Sequence, residues 1–232
     1  MSSRAVLFDV GGPLDTEVQA EALIDAQIRA GLEAAGVRVS DQEYRAANEW
    51  AVASFAPDAY SAIIWRLCGE DERIAREVRM FSSLGRVFEL RDGMAELLHD
   101  LHRAGLKLGL AANQPPRIIA QDEFGVGHLF HHREVSGHHG YRKPDVRLFL
   151  RACEDLHVDP PDCVMVGDRI DNDIFPARVL GMRTVLFRSG RHINQQPRSV
   201  DEVPHAEVRD VTGLRSALET MTGWTLLHQA QR

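Results

Sequence analysis

The stretch Ala5-Val6-Leu7-Phe8-Asp9-Val10-Gly11-Gly12-Pro13-Leu14 decides how the chain is read. A short apolar run, Ala5 to Phe8, ends in one acid, and a glycine turn follows at once. A buried parallel strand delivers a carboxylate in this way to the carboxyl edge of a sheet, where open α/β folds bind ligands. Glycines at the turn let the backbone approach an anion or a metal closely. The same pattern also occurs as a plain strand ending in a solvated acid, so the later chain has to separate the two readings.

The 232 residues, 44% of them hydrophobic, suffice for a full core, in one domain with a sizeable insertion or in two domains. With 27 Lys and Arg against 34 Asp and Glu, the formal charge is −7. No basic cluster or aromatic–basic stripe is present, which disfavours a nucleic-acid partner. Cys68, Cys153 and Cys163 form no C-x-x-C pair and read as buried or incidental thiols of a reducing compartment. The chain runs straight into a strand without a signal segment, and its apolar runs fall far short of a membrane span. The expectation is a cytoplasmic protein with no membrane partner; nothing in the sequence sets its oligomeric state.

Glu17 to Ala35 carries apolar residues at helical spacing (Ala20, Leu23, Ile24, Ile28, Leu32, Ala35), with Gly36 as a stop. Asp41 to Phe55, Asp58 to Leu67 and Asp71 to Val87 continue as helices with no strand between them. About seventy helical residues thus separate the first strand from the next. They are expected to form a helical cap, 16–87, inserted in a core made of 1–15 and 88–232. Trp50, Tyr60 and Trp65 are expected in the core of that insertion.

From Asp92-Gly93 onward helix and strand alternate. Met94, Leu97, Leu98 and Leu101 line one helix face, closed by Gly105. Strands are expected at Leu106–Ala112, Glu134–Ser136, Cys163–Val166, Thr184–Phe187 and Ala206–Arg209. Helices are expected at Ile118–Phe124 and Asp145–Leu156, from near Asp173 with Pro176 in the first turn, and at Gly213–Thr220. The loop Ser189–Val203 is polar, and the tail from Gly223 is expected to fray. This alternation implies an α/β fold with a Rossmann-like parallel-sheet core.

In a parallel sheet the strand ends converge on one edge, which gathers Asp9, Asn113 and Asp168 from distant parts of the chain. Asp9 and Asp168 are suited to flank a hard divalent cation such as Mg²⁺. Lys143-Pro144, just before a helix, places a cation where it would neutralise a phosphoryl group and the carboxylates.

With these residues in place, the chain resembles the haloacid dehalogenase superfamily of aspartate-nucleophile hydrolases over nearly its whole length. The best-matched segments are Gly140-Tyr141-Arg142-Lys143-Pro144-Asp145 and Val164-Met165-Val166-Gly167-Asp168-Arg169-Ile170-Asp171-Asn172-Asp173-Ile174, followed by Ala177 and Gly181-Met182. The resemblance implies that Asp9 is the nucleophile that accepts a phosphoryl group from a small phosphorylated metabolite. It implies Mg²⁺ held by Asp9, the Gly11 carbonyl, Asp168 and Asp173. Lys143 would hold Asp9 and the phosphoryl oxygens together, with Asn113 and Gly12 at the substrate. The cap would close over this site.

Three positions depart from the family pattern. Gly11 stands where a second aspartate usually protonates the leaving group, and losing such a group typically costs roughly 10²–10⁴ in rate. Pro13 replaces a Thr or Val. Ala112 replaces a hydroxyl residue that donates to the phosphoryl group. The loop at Leu14-Asp15 is also shorter by about one residue.

Three readings stay open: a phosphatase-type hydrolase, a catalytically weak or inactive relative that binds a ligand or partner, and a dehalogenase-type carbon-centred hydrolase whose halide needs no proton. Substitute acids would come from Asp15, Glu17 or the histidines at 128, 131, 132, 138 and 139, of which His138-His139 lie nearest Lys143 in sequence. The plainer reading of those histidines is a solvated loop. Arg142 reads as a surface residue and Asp171 as a helix cap.

Overall fold

The computed structural model describes residues 4–81, 88–115 and 125–224. The helix expected at 118–124, the end of the helix expected to reach 87 and the tail from 225 lie outside the described residues. Those residues form two compact units, one of 1–16, 88–189 and 197–232, the other of 17–87 and 190–196.

The first unit is built on five parallel strands: β1 (Ala5–Phe8), β2 (Lys107–Leu110), β3 (Cys163–Gly167), β4 (Arg183–Phe187) and β5 (Ala206–Val208). Their order is β2-β1-β3-β4-β5. Phe8 pairs with Leu110 on one side and Val166 on the other, so three strand ends lie level around Asp9. The chain leaves β1 toward β2 and later returns to the opposite side at β3. Such a reversal opens a crevice at the carboxyl edge.

Ala5, Val6, Leu7 and Phe8 are all fully buried, which is why β1 reads as an unbroken apolar run. Their alternation divides them between two cores. Val6 and Phe8 join Val164, Val166, Val185 and Phe187 under α5 (Met94–Arg103) and α9 (Val211–Thr222). Ala5 and Leu7 join Cys163 and Met165 under α7 (Val146–Leu156). Each large side chain buried this way is worth roughly 1.5–3 kcal/mol.

The expected strand at Glu134–Ser136 is not formed. The chain there meets β2 at the isolated bridge Gly109–His132, and Ser136 instead opens the short helix α6 (Ser136–His139). The backbone donors are already taken: Val135 N–H donates to His138 Nδ1 at 3.0 Å and Ser136 N–H to the Ala112 carbonyl at 3.0 Å. Downstream of β3, a wide helical turn, Ile170–Ile174, leads into α8 (Phe175–Val179), with Pro176 in its first turn.

The second unit holds α1 (Val18–Ala34), α2 (Asp41–Ala53), α3 (Ala59–Leu67) and α4 (Glu72–Phe81). Ser40 and Glu43 cap α2 reciprocally, and Asp58 accepts from Ser61 N–H at the start of α3. Ile28, Leu32, Tyr44, Ile63, Ile64 and Val78 fill its core. Tyr60 and Trp65 pack against that core, but Trp50 is 38% exposed, its ring covered by the Arg66 guanidinium at 4.7 Å. Residues 190–196 join these helices through Arg191. Its guanidinium pairs with Asp25 at 2.7 Å and lies over the Tyr60 ring, and its N–H donates to Glu21. Among the described residues no helix is long and apolar enough to cross a membrane.

Candidate active site

Asp9 follows β1 directly, its own N–H donating to the Val166 carbonyl at 2.9 Å. One carboxylate oxygen accepts from Val10 N–H at 2.8 Å, and the other lies 2.8 Å from the Lys143 ammonium. Lys143 Nζ also reaches Asp173 Oδ1 at 2.6 Å. Asp173 is held from its other side by Arg169 N–H at 3.0 Å. The Lys143 side chain is 2% exposed and that of Asp173 0%, so their attraction acts where water screens little.

Asn113 sets the position of Lys143 by gripping its backbone at both ends. Lys143 N–H donates to Asn113 Oδ1 at 2.8 Å, and Asn113 Nδ2 donates to the Lys143 carbonyl at 3.2 Å. A cis peptide joins Lys143 to Pro144, and the Asp145 carboxylate then starts α7 by accepting from Arg147 N–H.

Two glycines are required by close approach. Gly12 has φ +81°, and a Cβ there would lie 2.6 Å from Asp168 Cβ. A Cβ on Gly167 would lie 2.3 Å from Asp173 Cγ. The glycines thus make room for the two acids of the last motif. Gly11 bridges to Asp15, folding the loop back on itself.

Asp9, Asp168 and Asp173 each offer a carboxylate oxygen within 4.8 Å of the others. Hard oxygen donors crowded together fit a small divalent cation such as Mg²⁺. Burial pushes the Asp173 carboxyl up to about 6, with Asp9 adding to the rise and Lys143 pulling against it. Burial alone would lower the Lys143 ammonium, but Asp173 and Asp9 outweigh it and hold it above its ordinary range. Burial works against the charge on Arg169 too, yet its partner Asp171, 2.6 Å away, keeps it above its usual value. Asp171 therefore pairs with Arg169 rather than capping a helix.

The candidate replacement acids have local settings of their own. Asp15 is 2% exposed and accepts from Glu89 N–H at 3.0 Å, a structural role. Glu17 belongs to the helical unit. His138 and His139 accept from the N–H groups of Val135 and Tyr141, and His132 is bonded to Asp155 at 2.9 Å. His131 stacks on His102, and His128 lies beside His99. Ala112 is fully buried, its carbonyl accepting from Ser136 N–H. Two charged neighbours went unread in the sequence. Arg169, adjacent to Asp168, was legible as part of the last motif; Arg91, whose Nη2 donates to the Gly12 carbonyl at 2.6 Å, carried no local signal.

Comparison with known proteins points the same way. Residues 3–181 match the family model for haloacid dehalogenase-like hydrolase. A glyceraldehyde 3-phosphate phosphatase of Methanopyrus kandleri is 32% identical over 88% of this chain and 92% of its own. A phosphoserine phosphatase of Thermus thermophilus is 29% identical over 90% of each. Among solved structures, the magnesium-bound HAD-hydrolase YfnB of Bacillus subtilis matches with TM-score 0.67 at 19% identity, over 94% of this chain and 99% of that one. A 2-haloacid dehalogenase of Pseudomonas syringae matches with TM-score 0.58 at 21% identity, over 94% and 99%. At such identities the structural likeness speaks for the fold, which phosphatases and dehalogenases share.

Proposed function

The chain belongs to the haloacid dehalogenase-like hydrolases, and from that premise we propose that it dephosphorylates a small phosphorylated metabolite through an aspartyl-phosphate on Asp9. The observation that carries the reading is Lys143 Nζ, shared between Asp9 Oδ2 and the buried Asp173 beside the third carboxylate of Asp168. The names of the relatives, phosphatases of glyceraldehyde 3-phosphate and phosphoserine, support phosphomonoesters as the substrate class.

In this reading an Asp9 carboxylate oxygen attacks phosphorus. The ester P–O bond breaks, and its electron pair leaves with the alcohol oxygen. Lys143, 2.8 Å from Asp9, offsets charge on the phosphoryl oxygens. Asn113 acts by fixing the Lys143 backbone, and Gly12 leaves its amide open to a phosphoryl oxygen. Asp9, Asp168, Asp173 and the Gly11 carbonyl would hold Mg²⁺, which supplies charge stabilisation to the transferring group when bound. Water then attacks phosphorus, the bond from phosphorus to the Asp9 oxygen breaks with its electron pair returning to the carboxylate, and inorganic phosphate leaves as the water proton passes to solvent.

Gly11 contributes no proton to the leaving oxygen. The site therefore suits esters whose alcohol or acid leaves without one, such as aryl and acyl phosphates, above alkyl esters. The same residue favours the second reading, a relative that binds a phosphorylated ligand without efficient turnover. A screen of phosphorylated metabolites with Mg²⁺, with Asp9→Asn as control, separates them. Turnover that disappears in the control supports the enzyme. Tight binding without turnover of any ester supports the second reading and overturns the first.

A further inference from the structure

The loop Gly11–Thr16 is braced along its length by residues 89–91. Thr16 N–H donates to the Glu89 carbonyl at 3.0 Å and Thr16 Oγ1 to Glu89 Oε2 at 2.9 Å. Glu89 N–H donates to Asp15 Oδ1 at 3.0 Å, and Arg91 N–H to the Leu14 carbonyl at 2.8 Å. These four bonds secure the Thr16 end. The Arg91 guanidinium reaches back to the glycines, donating from Nη2 to the Gly12 carbonyl at 2.6 Å.

The guanidinium is itself held. Its carbon lies 4.6 Å from the centroid of the Phe187 ring, and Phe187 is the fully buried last residue of β4. A cation stacked on a rigid ring has few other places to go. Its target is the reverse case. Consecutive glycines have more accessible backbone conformations than any other pair, and neither can anchor itself with a side chain. A charge-assisted hydrogen bond from a fixed donor removes that freedom.

We propose that Arg91 is a positioning residue for the reaction. By holding the Gly12 carbonyl it fixes the Gly12–Pro13 peptide and restrains the Gly11–Gly12 peptide before it, and so sets the direction of the Gly11 carbonyl that would ligate the metal. The inference rests on the metal-dependent reading above, but its core, that Arg91 orders the glycine pair, stands on its own measurement.

The test compares the full chain with Arg91→Met, which keeps an apolar contact on Phe187 and removes the donor, and Arg91→Lys, which returns one charged donor. In the metal-free protein, amide exchange at Val10–Leu14 is expected to rise at least about tenfold in Arg91→Met and far less in Arg91→Lys, with exchange in β4 unchanged. In a calorimetric titration with Mg²⁺ alone, Arg91→Met is expected to bind about 10–100-fold more weakly. With p-nitrophenyl phosphate, its loss of kcat is expected to recover at high Mg²⁺ while KM moves little, which a general loss of fold would not produce. Should Arg91→Met melt far below the wild type, Arg91→Lys against Arg91→Gln carries the comparison. Unchanged loop exchange in Arg91→Met overturns the proposal whatever Mg²⁺ does. Faster exchange in a protein whose wild type takes up no Mg²⁺ supports the role of Arg91 and removes the metal reading instead.

Discussion

A Cβ on Gly167 would stand 2.3 Å from Cγ of Asp173, closer than any two carbon atoms pack. The last residue of β3 and the buried acid six positions on therefore share one space. Gly167→Ala is expected to displace Asp173 from Lys143. Stability should fall by about 1–3 kcal/mol, the usual scale of overpacking. Urea unfolding measures the loss of stability, and turnover reduced on the order of 100-fold or more marks the displacement. A variant with wild-type activity would mean the acid can retreat without consequence.

Lys143 lies 2.8 Å from Asp9 and 2.6 Å from Asp173, and it is buried with them. Lys143→Met leaves two acids facing each other with no cation between them. Breaking a buried pair in this way typically costs about 3–5 kcal/mol. The double variant Lys143→Met with Asp173→Asn is expected to recover most of that stability and none of the activity. If the double variant is as unstable as the single one, the ion pair is not what Lys143 contributes.

Gly11 offers a selective gain. Gly11→Asp, combined with Ala112→Thr, is expected to raise turnover of alkyl phosphates by roughly 10²-fold and of p-nitrophenyl phosphate far less. A phenol leaves readily without a proton; an alkoxide does not. Equal gains on both substrates would show that the missing proton donor is not the cause.

His132 provides a pH dependence away from the site. Burial holds its imidazole below the ordinary value near 6.5, against the opposing pull of Asp155. The unfolded chain therefore takes up the proton first as pH falls. The contribution of His132 is fully present above pH 6.5 and declines as pH drops through that value toward the folded one. His132→Asn, which keeps a donor for Asp155, is expected to lose this dependence. The stability difference between wild type and variant should shrink between pH 7.5 and pH 5 in parallel urea titrations. A constant difference would exclude His132 as the titrating group.

The parts of the molecule legible in the sequence are those where one residue type has one physical outlet. β1 and β3 could hardly be other than buried strands, since their runs are apolar on both faces. The acids after them had to lie at one edge once the sheet was parallel. The expected strand at Glu134–Ser136 failed because a histidine ring captured the Val135 N–H, a bond no hydrophobic pattern encodes. Trp50 was misplaced for a related reason: an aromatic ring can be covered by an arginine from the next helix as well as by a core. Arg91 and Arg191 were invisible because a long cation declares its role only through a partner that is remote in sequence or in register.

Arg191 also bears on how this molecule can be recombined. The chain enters the helical unit twice, once for 17–87 and again for 190–196, and the second visit supplies the cation that Glu21 and Asp25 enclose. The helical region is therefore not a cassette. Exchanging 17–87 alone with a relative would leave two half-buried acids without their counter-charge and a guanidinium without its tyrosine. A working chimera has to carry 190–196 along with the helices, and evolution of the helical unit must proceed through both segments together.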